Sequence, residues 1–191
     1  LNVAQVNVAQ LIKERRSVHL FEDRTVSVEL IKELLDTATW VPNHRMTQPW
    51  RFVIVNGDGR KKIAEIAREI NEKKAQDPQK AKEIGQTFYD KMMAVPMFVV
   101  VLMKEDPSIT VREEDYASTS CLIHNFSLLA WEQNLGMVWK TYALMNHPSF
   151  REVLGIGLGE KVVGSLHVGY PAKIPTPKPR VSVEELITVV E

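Results

Sequence analysis

Met97–Met103 reads MFVVVLM. Seven consecutive apolar residues, three of them valine, mark a strand covered on both faces, because no position is left to meet water. A sheet with such a strand needs helices on each side. The flanking sequence supplies them. Upstream, Ile63, Ala64, Ile66, Ala67 and Ile70 recur at helical spacing; Asp77 and Pro78 break that helix, and a mostly polar one resumes to about Met93. Before it, Phe52–Val55 is a short apolar strand closed by the turn chemistry of NGDG. Ser27 can cap a helix carrying Leu30, Ile31, Leu34, Leu35 and Ala38, with Pro42 just past its end. Val8, Leu11 and Ile12 share one face of a first helix that stops near Arg15 or Arg16. Downstream, the loop KEDPS leads into a long helix over 113–135, whose first half, ASTSC (117–121), is small enough for close approach by another helix or a ligand. GMVWKTY (136–142) and KVVGSLHVGYP (161–171) read as strands, and a proline-rich tail follows, with Ser182 and Glu185 at capping-box spacing. Four strands separated by helices predict one α+β or α/β domain over residues 1–191.

Composition narrows the function classes. With 24 basic and 24 acidic residues the formal net charge is zero, so no general field favours nucleic acid or an anionic membrane. The single cysteine, Cys121, rules out an intrachain disulfide framework. No apolar run approaches the roughly 18 residues of a spanning helix. The N-terminal LNVAQVNVAQ lacks the basic start and apolar stretch of a signal peptide, so a cytoplasmic location is expected. GxGxxG after a strand, GxxxxGK[ST], HExxH, CxxC and GxSxG are all missing.

Four stretches carry candidate chemistry. RRSVHLF (15–21) places two guanidinium forks and a hydroxyl at a helix end, a donor set suited to a phosphomonoester. Basic residues at helix ends also offset the dipole, and from this stretch alone that reading stands beside the first. VPNHRMTQPWRF (41–52) is a polar loop leading into a strand, with His44 and Arg45 at its centre. VWKTY (138–142) ends a strand. In PKPR (177–180), Lys178 and Arg180 alternate, so an extended chain points both to one face.

RRSVHLF, then P-x-x-x-x-x-QPWRF, a long helix ending in LGMVW, then VGYP and KPR, in that order over nearly the whole chain, resemble the nitroreductase family, and its small bacterial branch in particular. The resemblance implies an α+β fold with a central mixed sheet flanked by helices, in an intertwined homodimer with FMN at the interface. It implies that Arg15, Arg16 and Ser17 hold the phosphate and part of the flavin. Lys178 and Arg180 would reach the same phosphate. His44 would contact the flavin of the other subunit, and Trp139, Lys140 and Thr141 would lie along the ring. The implied activity is hydride transfer from NADH or NADPH through flavin to a nitroaromatic, quinone or enone. No acid–base dyad is then needed, since the cofactor carries the chemistry. A flavin-remodelling protein without NAD(P)H turnover and a non-enzymatic anion-binding module are the alternatives. Many relatives have asparagine at the position of Met46, glycine at that of Tyr142, and lysine or arginine at that of His19, so flavin electronics and pocket shape are expected to differ here.

Overall fold

The computed structural model describes residues 7–191; the first six, which include most of the stretch read for a signal peptide, lie outside it. Strand β3 (Met97–Lys104) lies at the centre, and its residues Met97–Met103 are all buried. Their side chains alternate between two cores. Met97, Val99, Val101 and Met103 join Leu34, Leu35, Leu122 and Phe126 on one face; Phe98, Val100 and Leu102 join Ile63, Ala67 and Phe150 on the other. This explains the unbroken apolar run: both faces are covered.

The first core is built by α2 (Val28–Ala38) and α5 (Ile109–Glu132), the second by α3 (Gly59–Glu72) and α6 (Pro148–Val153). Ser27 caps α2 as expected, its hydroxyl accepting from Leu30 N at 3.2 Å. Helix α4 (Pro78–Met93) folds back on α3 after the break, capped by Asp77, which accepts from Lys80 N at 2.8 Å. Helix α1 (Val8–Glu14) buries none of its residues, and Val8 and Ile12 of its apolar face are exposed.

The main sheet has the order β2-β3-β5-β4, with β2 Trp50–Asn56, β4 Gly136–Lys140 and β5 Glu160–Gly169. All its ladders are antiparallel, so the expected mixed character shrinks to one parallel bridge, Ser17 to Met137. The reason is topological: α5 carries the chain past β5's place to the far edge, so its crossover links strands that are not neighbours. Strand β2 forms the opposite edge. The expected 161–171 strand ends at Gly169, and Pro171–Lys173 (β6) turns away to pair with Leu20–Phe21 (β1), a ribbon too short to show in sequence.

Candidate functional site

The site begins where α1 stops. Arg15 leaves the helix (φ −53°, ψ 134°) while its N–H still bonds Leu11 O at 2.9 Å. The chain then runs beside β4: Ser17 bridges Met137, and Val18 N donates to Met137 O at 3.0 Å. Two features permit this approach. Asn134, with φ 58°, ends α5 in a left-handed turn, and Leu135 N reaches back to Ala130 O at 2.8 Å. Gly136 follows, where a Cβ would lie 2.5 Å from Val18 Cγ2.

This docking opens a cavity of about 170 Å³ lined by Arg15, Ser17, Met137 and Trp139, and by Ile123, His124 and Ser127 from α5. Trp139 is held there by its Nε1 donating to Val163 O at 3.0 Å. Arg15 Nε is buried and has no hydrogen-bond partner. Burial, then Arg16, then Arg180, lower the Arg15 pKa from its ordinary value. The tail therefore brings a further guanidinium to this place. Among the described residues no carboxylate pairs with Arg15, Arg16 or Arg180. Partly buried like charges are costly without a counter-charge, and an anionic group in the cavity would supply one.

The two readings of the helix-end arginines divide between them. Arg16 turns its Nη1 to the carbonyls of Lys13 (2.6 Å) and Arg15 (2.9 Å), which is the helix-end role. Arg15 lines the cavity, and its buried Nε has no hydrogen-bond partner. Arg180 donates Nη1 to Lys178 O at 3.0 Å, so the tail curls locally rather than presenting a straight alternation; Lys178 itself is exposed and not part of the cavity lining. Thr141 lies exposed just past β4.

Lys140, at the end of β4, belongs to a second group. Partial burial, then Lys140, lower the pKa of His19. Burial above all, with Lys140 and His19 adding to it, pushes His167 down to about 3, so this buried imidazole is neutral. Its Nε2 lies 3.3 Å from the hydroxyl of Tyr142, whose pKa is raised by burial.

His44 is not brought to the cavity within one chain. It sits in a short 3₁₀ turn (His44–Met46), with Nδ1 3.2 Å from Glu114 Oε1 and its side chain 59% exposed. Glu114 precedes Ile123 by nine residues on α5, about 13 Å at 1.5 Å per residue. The loop is stiff. Arg45 (φ 59°), Met46 (φ 49°) and Gln48 (φ 43°) all have left-handed backbone, each at a cost of order 1–2 kcal/mol. Gln48 N donates to Asn43 Oδ1 within the loop (2.7 Å), while Ser118 Oγ to Pro42 O (2.7 Å) and Thr47 Oγ1 to the buried carboxylate of Asp115 hold it against α5. The small residues of ASTSC thus admit this loop, in part. Met46 is 68% exposed at its tip.

His124, Ser127 and His167 were missed by the sequence reading. The first two share a helix face with the small exposed residues Ala117 and Cys121, but nothing local indicates that the end of α1 lies opposite.

The chain matches the model of the nitroreductase family over residues 12–170. A Bacillus subtilis protein named as an NAD(P)H nitroreductase is 33% identical to it, the alignment covering 93% of this chain and 91% of the other. The solved structure of a nitroreductase-like family protein from Bacillus cereus superposes with a TM-score of 0.86 at 41% identity, covering 97% of each chain. An FMN and NADPH-dependent nitroreductase from Sphigopyxis sp. strain HMH shares the fold, with a TM-score of 0.77 at 19% identity over 97% of this chain and 100% of that one. Matched by the family model over most of its length and by a relative at 33% identity, the chain belongs to the nitroreductase family.

Proposed function

We propose that this chain is an FMN-dependent NAD(P)H oxidoreductase that works in the cytoplasm as a homodimer of single-domain subunits spanning 1–191, and reduces small acceptors such as nitroaromatics, quinones or enones. The observation that carries the reading is the cavity at the end of α1, where Arg15 keeps a buried, unpartnered Nε near Arg180 with no carboxylate to answer either charge. That donor set fits a phosphomonoester, which carries about 1.5–2 negative charges at neutral pH.

FMN, when bound, supplies two-electron hydride transfer between nicotinamide and acceptor. The protein's part is to bind and to orient. Arg15 and Arg180 hold the phosphate, with Lys178 adding charge from the tail. Arg16 fixes the helix end that aims Arg15. Ser17 offers a neutral donor, and Trp139 forms a wall, locked in place through Val163 O. Lys140, with His19 beside it and Thr141 following, places positive charge at the end of β4 without a general acid or base. His44 of the partner subunit completes the pocket from a stiff loop.

The homodimer is supported by α1, which buries no residue within one chain, and by the tail, whose residues 176–191 are all exposed. No helix among the described residues is long and apolar enough to cross a membrane.

The test is to release the cofactor by denaturation and identify it by chromatography, then follow anaerobic bleaching of the native protein by NADH and NADPH. FMN and bleaching are expected. FAD, or no flavin after reconstitution, overturns the reading; FMN without bleaching favours a flavin-remodelling role. Sedimentation at micromolar concentration should show a dimer.

A further inference from the structure

We infer that His124 is a binding residue: from α5 its imidazole closes the cavity that Arg15 and Ser17 open from the end of α1, and it donates a hydrogen bond to the anionic end of the molecule held there. The inference rests on the FMN reading above and names a phosphate ligand which neither the motifs nor the tail supplies.

Few side-chain donors line the cavity. Its lining has three parts: Arg15 and Ser17 on the segment after α1, Met137 and Trp139 on β4, and Ile123, His124 and Ser127 on α5. On β4 the side chains offer little. Met137 has no polar hydrogen, and the Trp139 N–H is already given to Val163 O. On α5, Ser127 Oγ donates its single hydrogen to the carbonyl of His124 at 2.6 Å. Ile123 is apolar. His124 is therefore the α5 residue with donor capacity left for the cavity. It is exposed, and among the described residues it takes part in no ion pair.

The opposite wall supplies the second observation. Arg15 lines that wall, its Nε is buried without a hydrogen-bond partner, and no carboxylate among the described residues pairs with its guanidinium. Arg15 on one wall and an imidazole on the other can grip an anion from two sides. No carboxylate lines the space, so no negative charge within the cavity competes for either donor. Arg15 lines the same cavity as His124, Arg16 and Arg180 lie near that arginine, and Cys121 stands one turn earlier on α5.

The experiment compares FMN with riboflavin, which lacks the phosphate, on full-length dimeric protein freed of flavin by dialysis. Affinities come from quenching of flavin fluorescence for wild type, His124→Ala and His124→Gln. His124→Ala should bind FMN about 10- to 150-fold more weakly, the value of a charge-assisted hydrogen bond, and bind riboflavin as wild type does. His124→Gln, which keeps a donor, should recover part of the loss. Combined with Arg15→Ala, the double variant should lose less than the product of the two single losses, because both side chains grip one group. Unchanged FMN affinity in His124→Ala, or an equal loss for FMN and riboflavin, overturns the inference. Wild type that binds neither flavin overturns the FMN reading instead, and calorimetric titration with inorganic phosphate then decides. Weaker phosphate binding by His124→Ala supports the anion contact; equal binding, or none by wild type, removes it.

Discussion

Gly164→Ala is the sharpest test of how the cavity wall is built. A Cβ at Gly164 would lie 2.2 Å from Trp139 Nε1 and 2.4 Å from Cδ1. Both distances are far inside contact, and the obstacle is a rigid indole. Trp139 must leave its seat, and with it the hydrogen bond to Val163 O. Overpacking of this kind costs about 1–3 kcal/mol, and the lost bond about 1 kcal/mol more. The sum, about 2–4 kcal/mol, corresponds to a fall in Tm of about 4–16 °C for a chain of this size. The assay is thermal unfolding followed by far-UV circular dichroism, with tryptophan emission recorded on the native protein. Emission should shift to the red as the indole moves out, and FMN affinity should fall because the same ring lines the cavity. Trp139→Phe leaves a smaller ring, so adding it to Gly164→Ala should cost less than the two single effects summed. A Gly164→Ala protein with wild-type Tm and emission would refute the placement of the indole over β5.

Three further outcomes are expected. Arg15→Ala should weaken FMN binding about 10- to 150-fold, from roughly 1.5–3 kcal/mol for a charge-assisted hydrogen bond, while turnover at saturating FMN changes little; a variant that loses stability but not affinity would return Arg15 to a helix-end role. His44→Ala and His44→Gln should alter FMN affinity and the flavin reduction potential, and wild-type values for both would remove His44 from the site. His167, with a folded pKa of about 3 against an ordinary 6.5, binds its proton more readily when unfolded. Its contribution is therefore complete above about pH 6.5 and is lost as pH falls toward 3, at up to about 1.4 kcal/mol per pH unit. Urea midpoints at pH 7 and pH 5 should differ more for wild type than for His167→Phe; equal differences would show that another group controls the acid limb.

The layers were legible because their signals are local. An unbroken β-branched run means a strand covered twice, and Ser27 and Asp77 cap the helices that they precede. Helix α6 and the β1–β6 ribbon went unread: one has six residues, and the other exists through pairing between positions about 150 apart. At the site, residue types indicated an anion but not how the work divides. Arg15 and Arg16 are adjacent and chemically identical, and the exit angle of α1 sends one to carbonyls and the other to the cavity. His124 and His167 carried no signal at all, since each acquires its surroundings from elements far away in sequence. His44 was readable as a loop residue; its distance from the cavity within one chain is a matter of where α5 runs. Ser182 caps a short turn through Glu184 N at 3.3 Å, so the capping-box spacing gave the start of a turn rather than a full helix.

The outer edge of β2 bears on how the protein behaves in concentrated solution. Trp50–Asn56 ladders with β3 on one side, and its other side offers peptide groups with no ladder partner in the sheet. A row of this kind is a template for any extended chain, including another copy of itself. Zero formal net charge provides little long-range repulsion to keep two such edges apart. The strand is blunted at one end, where Pro49 precedes it and Arg51 is clasped by Glu160 at 2.7 Å. From Phe52 onward it carries four apolar residues in succession. Resistance to aggregation therefore depends on what lies along that edge.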